Sequence, residues 1–190
     1  DWKSLIALVE EQHGRLDILV NNAGILQVGE IDKETLEGWR RVQSINTEGV
    51  FLGIQNALPL MEKSGGGSIV NMASVAAHFG MPYFVAYSAS KAAVRAITQT
   101  IAVHCHQAGN NIRCNSVHPD GIATDMVMEV APMLPQGNLD GDKALQAASY
   151  MSMPGDIAKV VLFLASDDSS SINGAEIKTD KSATLTPPYG

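Results

Sequence analysis

Ser68-Ile-Val-Asn-Met-Ala-Ser74, followed from Pro82 by a helical stretch containing Tyr87-Ser-Ala-Ser-Lys91, decides how this chain folds. Residues 68–72 form a short apolar run bounded by Ser64-Gly-Gly-Gly67, which reads as a buried strand. The triple glycine has no Lys-Ser/Thr after it and reads as a flexible loop, not a phosphate loop. Pro82 to Gln107 reads as one long helix. Upstream, Asp1 to Glu10 has the pattern of an amphipathic helix ending at Gly14. Leu16 to Val20 is a strand that runs into the turn Asn21-Asn-Ala-Gly24, and Thr35 to Met61 is a helix interrupted near Ser44. Downstream, Ile112 to Val117 is a third strand ending at His118-Pro-Asp-Gly121. Residues 122–153 are rich in turn formers, Asp156 to Ser166 is a helix, and Ala175 to Thr179 is a last strand.

Alternating strands and helices predict an α/β domain: a three-layer, Rossmann-like parallel sheet with helices on both faces. Ligands of such sheets bind beyond the carboxyl ends of the strands. The Asn21–Gly24 turn, Ser74 and the Pro119–Gly121 turn all fall at carboxyl ends, and Tyr87 and Lys91 begin the helix after the second strand. The chemically suggestive residues therefore gather at one edge.

Composition narrows the function. The chain has 190 residues, 45% hydrophobic and 17% charged, enough for one domain with a substantial core. A net charge of -7 and a pI near 5.1 argue against nucleic acid or an anionic membrane surface. No apolar run approaches the ~20 residues of a membrane span, and no signal peptide opens the chain. Cys105 and Cys114 do not make a disulfide framework, so a cytoplasmic location is expected. His104-Cys105-His106 does not read as a metal site, because residues i and i+2 of a helix point to different sides, and no metal is expected.

Tyr87 and Lys91 lie four apart on one helix face. A serine brought there from a strand end completes a site for moving a proton on and off an alcohol oxygen. Tyrosine has a pKa of about 10, too high for a base at neutral pH. An ammonium ~4 Å away is worth roughly 4 kcal/mol at an effective dielectric near 20, lowering that pKa by on the order of 3 at most. Each residue also has a plainer reading. Asn21–Gly24 could be only a turn, Asn46 an exposed polar residue, Ser74 a cap and Thr124 an N-cap.

In this order the motifs resemble the short-chain dehydrogenase/reductase family along nearly the whole chain. Asn21-Asn-Ala-Gly24 resembles its NNAG turn, and Asn46 its helix-interrupting asparagine. Ser74, Tyr87 and Lys91 match its Ser and Tyr-x-x-x-Lys, and Pro119 to Thr124 resembles its Pro-Gly-x-x-x-Thr turn with an extra Asp120. Asn71-Met-Ala-Ser-Val75, His118-Pro-Asp-Gly-Ile122 and Leu162-Phe-Leu-Ala-Ser-Asp167 are most similar to its bacterial hydroxysteroid-oxidising members.

The resemblance implies roles. Tyr87 would exchange a proton with the substrate oxygen and Ser74 would hold that oxygen. Lys91 would depress the pKa of Tyr87 and hold the nicotinamide ribose, while Asn46 would place a water linking Lys91 to solvent. Asn22, Ala23 and Gly24 would line the cofactor, and Pro119, Gly121, Ile122 and Thr124 would hold its carboxamide end. The implied cofactor is NAD, with NADP not excluded. The implied substrate is a small apolar secondary alcohol or ketone, a hydroxysteroid first. The complete enzyme would be a homodimer or homotetramer, packing through Ala86, Ala89, Ala93 and Ala96 and the helix that contains Asn46. Two alternatives stand beside this: a non-catalytic fragment acting through helix association, and a related enzyme for another small alcohol or a 3-oxoacyl substrate.

Two departures accompany the resemblance. The C-terminal strand reads Ile177-Lys-Thr-Asp-Lys-Ser182, where most relatives have Val-Asp-Gly-Gly. The glycine-rich pyrophosphate fingerprint is absent, which reads as the loss of the first βαβ units, on the order of 60 residues. Residues 1–190 are thus expected to form one N-terminally incomplete domain. Met126, Met128, Met133, Met151 and Met153 crowd the segment of about residues 122–153, which is expected to close over the substrate as an apolar lid.

Overall fold

In the computed structural model, which describes residues 2–134 and 149–185, four strands form one parallel sheet in the order β1-β2-β3-β4. They are β1 (Ile18–Asn21), β2 (Gly67–Met72), β3 (Ile112–Pro119) and β4 (Glu176–Thr179). Register is set by Val20 opposite Val70, Val70 opposite Asn115 and Val117 opposite Ile177.

Side-chain alternation along the strands builds two cores. Leu19, Ile69, Ile112 and Cys114 face one side, where they meet α1 (Trp2–His13), α3 (Gly49–Lys63) and α4 (Val85–Ala108). Val70, Met72 and Val117 face the other, where Ile157 and Leu164 of α6 (Pro154–Ala165) cover them. Helices thus lie on both faces, as the alternation of elements predicts. Cys105 and Cys114 are both free and buried. Among the described residues no helix is long and apolar enough to cross a membrane.

The interruption expected near Ser44 is a π-helical turn, Ser44–Glu48, between α2 (Leu36–Gln43) and α3. One extra residue per turn rotates Asn46 inward until it is fully buried. The long helix begins at Val85, three residues later than expected. Phe84 is held outside it because the Tyr83 carbonyl accepts from Gly29 N–H at 2.8 Å and Val85 N–H donates to the Gly29 carbonyl at 3.2 Å. β3 runs two residues further than expected, since His118 and Pro119 pair with Lys178 and Thr179. Gly65, Gly66 and Gly67 have φ of +96°, +127° and +152°, open to glycine and strained for other residues. A Cβ on Gly66 would lie 2.6 Å from the Asn111 carbonyl oxygen, so this loop is a packed turn joining α3 to β2.

Candidate active site

The carboxyl ends of β1, β2 and β3 open onto one cavity of about 490 Å³. Asn22, Ala23 and Gly24 come from the turn after β1, and Ser74 and Val75 from the segment after β2. Tyr87 and Lys91 come from the first turns of α4, and Pro119, Asp120, Gly121, Ile122 and Thr124 from the end of β3 and beyond. Of the residues expected to take part in catalysis or to hold the cofactor, Asn46 alone stands behind the wall instead of on it. Tertiary structure thus joins four segments spread over a hundred positions.

Ser74 is buried and extended, with Oγ donating to the Pro119 carbonyl at 3.4 Å and accepting from Ala76 N–H at 3.1 Å. It therefore caps the 3-10 turn Val75–Ala77 while also facing the cavity. Lys91 is buried; its Nζ donates to the Met72 carbonyl at 2.9 Å and sits 5.6 Å from the centre of the Tyr87 ring. A Cβ on Gly24 would lie 3.4 Å from that Nζ and 3.2 Å from Asn46 Oδ1. The bare backbone at Gly24 lets both approach.

Electrostatics departs from the expected pattern. Burial pushes the Tyr87 phenol up, and a hydrogen bond with Ser74 pulls it only part of the way back. Burial also brings the Lys91 ammonium down to about 8. Desolvation is the largest cause of both shifts, so Tyr87 stays protonated at neutral pH. The carboxyl of Asp120 is pushed up by burial, with Asp180 adding to the effect.

Asn46 holds the wall in place. Its Oδ1 accepts from Ile25 N–H at 2.8 Å, and its Nδ2 donates to the Ile25 carbonyl at 2.9 Å and to Ser90 Oγ at 3.1 Å. Ser90 in turn donates to the Tyr87 carbonyl at 2.7 Å. The sequence reading passed over Ser90, although it lies inside Tyr87-Ser-Ala-Ser-Lys91. Phe84 was missed as well; it packs edge-on to Tyr87 at 6.4 Å and lines the cavity with Leu26 and Met81. An apolar residue just ahead of a helix carries no sequence signal of that kind.

The far wall is apolar. Met126, Val127 and Val130 of α5 (Asp125–Val130), with Ala131 and Leu134 after it, line the cavity. Met128, Met133 and Met153 point into solvent. Part of the expected lid, residues 135–148, lies outside the described residues. Thr124 occupies the N-cap position of α5 without a side-chain capping bond, and its hydroxyl donates to the Ile122 carbonyl at 3.4 Å.

A family model described as enoyl-(acyl carrier protein) reductase matches residues 1–184. A 3-beta-hydroxysteroid dehydrogenase of Comamonas testosteroni is 44% identical over 183 residues, covering 96% of this chain and 72% of that protein. The chain belongs to the short-chain dehydrogenase/reductase family. A trans-4-hydroxycyclohexanecarboxylate dehydrogenase of Sinomonas cyclohexanicum is 37% identical, with 96% of this chain and 66% of that protein covered. The crystal structure of levodione reductase superposes with a TM-score of 0.89 at 31% identity, covering 98% of this chain and 73% of that one. The short-chain dehydrogenases and reductases are oxidoreductases of alcohols and ketones that use nicotinamide cofactors.

Proposed function

We propose that this chain interconverts a secondary alcohol and a ketone, with Tyr87 as the proton donor and acceptor and a hydroxysteroid as substrate. The observation that carries the reading is the convergence of Ser74, Tyr87, Lys91 and the two backbone turns on one cavity. Those turns fit a nicotinamide nucleotide: the Gly24 backbone lies beside Lys91, and Pro119, Gly121, Ile122 and Thr124 line the same space. A bound nicotinamide supplies hydride donation or acceptance at the carbinol carbon.

The protein's part is proton transfer and placement. Tyr87 Oη gives its proton to a carbonyl oxygen in reduction, or takes the hydroxyl proton in oxidation. Its burial favours the protonated form, the one that donates to a carbonyl oxygen in reduction. Ser74 Oγ fixes the substrate oxygen, and Lys91 holds the ribose and supplies positive charge beside the phenol. Asn46 keeps the start of α4 in place through Ser90.

The apolar far wall suits a fused-ring alcohol, and the hydroxysteroid dehydrogenase activity of the Comamonas testosteroni relative points the same way. NAD is the cofactor form assigned, with NADP run beside it. For assembly we carry a homodimer or homotetramer, since Phe51 and Leu52 of α3 and Val103 of α4 are exposed.

Tyr87→Phe is the decisive test. It removes the transferable proton and should lower kcat by at least ~1000-fold while the nicotinamide Kd changes less than ~3-fold. Retention of more than a tenth of kcat would exclude Tyr87 as the acid/base.

A further inference from the structure

Behind Ser74 the fold assembles a group that no spacing in the sequence announces. His78 follows the 3-10 turn after β2, His118 is on β3 and Glu176 begins β4. One donor atom from each lies within 4.8 Å of the others. His78 Nε2 is 2.9 Å from His118 Nδ1 and 3.6 Å from Glu176 Oε2. From these contacts we infer that His78, His118 and Glu176 form a zinc-class divalent metal site that ties the segment after β2 to β3 and β4.

The donor set and its surroundings both fit. Two imidazoles and a carboxylate with an open fourth position is a common zinc environment. Zn–N bonds of about 2.0–2.1 Å in a tetrahedron place ligand atoms roughly 3.3 Å apart, so the rings need to part by only a few tenths of an ångström. Two of the three ligands have a partner that fixes their orientation. With Nδ1 on the metal, His118 Nε2–H donates to Ser116 Oγ at 2.8 Å, and Ser116 Oγ faces the Ala175 carbonyl at 3.4 Å. Glu176 Oε1 accepts from Arg95 Nε at 2.7 Å and Gln99 Nε2 at 2.6 Å, which turns Oε2 toward His78. The Ser74 carbonyl, 3.1 Å from His118 Nδ1, keeps the Ala77 N–H donor at 3.0 Å when His118 turns to the metal.

Burial lowers the pKa of both imidazoles, His118 to about 4, so their nitrogens are free of extra protons at neutral pH. The charges around them set the strength of binding. Glu176 favours a cation, whereas Arg95 and Lys178 oppose one. A micromolar site is expected, weaker than an all-cysteine structural zinc site. Partial exposure of the His78 and Glu176 side chains leaves a route for the ion and room for a water as fourth ligand.

The test uses the whole chain after dialysis against a chelator. Titration with Co²⁺ should give the intense visible bands of a four-coordinate site at one equivalent, and Zn²⁺ should abolish them. Calorimetry with Zn²⁺ should return a Kd near 1–10 µM, and zinc at ~100 times that Kd should raise Tm by roughly 5–10 °C. His78→Asn and Glu176→Gln should each weaken zinc by at least ~30-fold, with circular dichroism and unliganded Tm close to wild type. A double variant, His104→Asn with His106→Asn, should bind as wild type does. Absence of four-coordinate cobalt bands overturns the site. So does binding that survives His78→Asn and Glu176→Gln, or binding lost in the His104/His106 variant; the trio is then a hydrogen-bonded relay only.

Discussion

Asn46 Nδ2 and Ser90 Oγ are 3.1 Å apart, a bond that ties the π-helical turn to the helix bearing Tyr87 and Lys91. The same side chain clamps both backbone groups of Ile25, one residue beyond the Asn22–Gly24 turn. One buried amide thus fixes two walls of the cavity to each other. Asn46→Ala leaves the part-buried Ile25 N–H and carbonyl without their partner. The expected loss is about 2–4 kcal/mol of stability, read from urea midpoints, together with a fall in kcat. An alanine variant as stable as wild type would contradict the clamp.

Lys91 gives a stability prediction with a definite sign. Its folded pKa, about 8, lies below the 10.5 of the free side chain because burial disfavours the ammonium. The contribution is fully present above pH 10.5 and is lost as pH falls through about 8, so charging Lys91 at pH 7 costs about 3 kcal/mol. Lys91→Met removes that cost, offset in part by the lost bond to the Met72 carbonyl. The variant should be at least as stable as wild type at pH 7 and lose the rise in stability between pH 8 and 10.5. Turnover and nicotinamide affinity should both fall. Denaturant midpoints across this pH range decide it.

Thr179-Asp-Lys-Ser182, which departs from the family's Val-Asp-Gly-Gly, carries backbone strain. Lys181 and Ser182 have φ of +47° and +64°, a region costly for residues with a Cβ. Ser182→Gly should therefore stabilise the chain by about 1 kcal/mol, a rise in Tm of roughly 2–4 °C. Lys181→Gly should give less, since the Lys181 ammonium donates to the Met151 carbonyl at 2.5 Å. An unchanged or lower Tm for Ser182→Gly would show that the left-handed turn is not strained.

Substrate choice tests the apolar wall. Met126, Val127, Val130 and Leu134 offer no partner to the hydroxyls of a sugar alcohol, each of which would be buried unpaired. kcat/KM for a 3β- or 17β-hydroxysteroid should exceed that for a polyol by at least ~100-fold, or about 2.7 kcal/mol. Equal ranking in a substrate screen would end the steroid assignment and leave the alcohol/ketone chemistry standing.

The sequence by itself determined the α/β class, the parallel order implied by alternating elements, and the set of polar residues at strand ends. These depend on local periodicity and turn chemistry, which are written in neighbouring residues. It marked a break near Ser44 but not its form, because a π turn and a plain helix end share the same residues. Tertiary structure decided which way side chains point and what surrounds them. Burial raises the Tyr87 phenol, where the nearby ammonium by itself would lower it. Met126 faces the cavity while Met128 and Met133 face water, and Phe84, silent in the sequence, forms part of the wall. His78, His118 and Glu176 are separated by 40 and 58 positions, yet the register of β3 against β4 and the turn after β2 bring them together. Contacts between residues so far apart follow from the folded path of the backbone, and no local pattern encodes them.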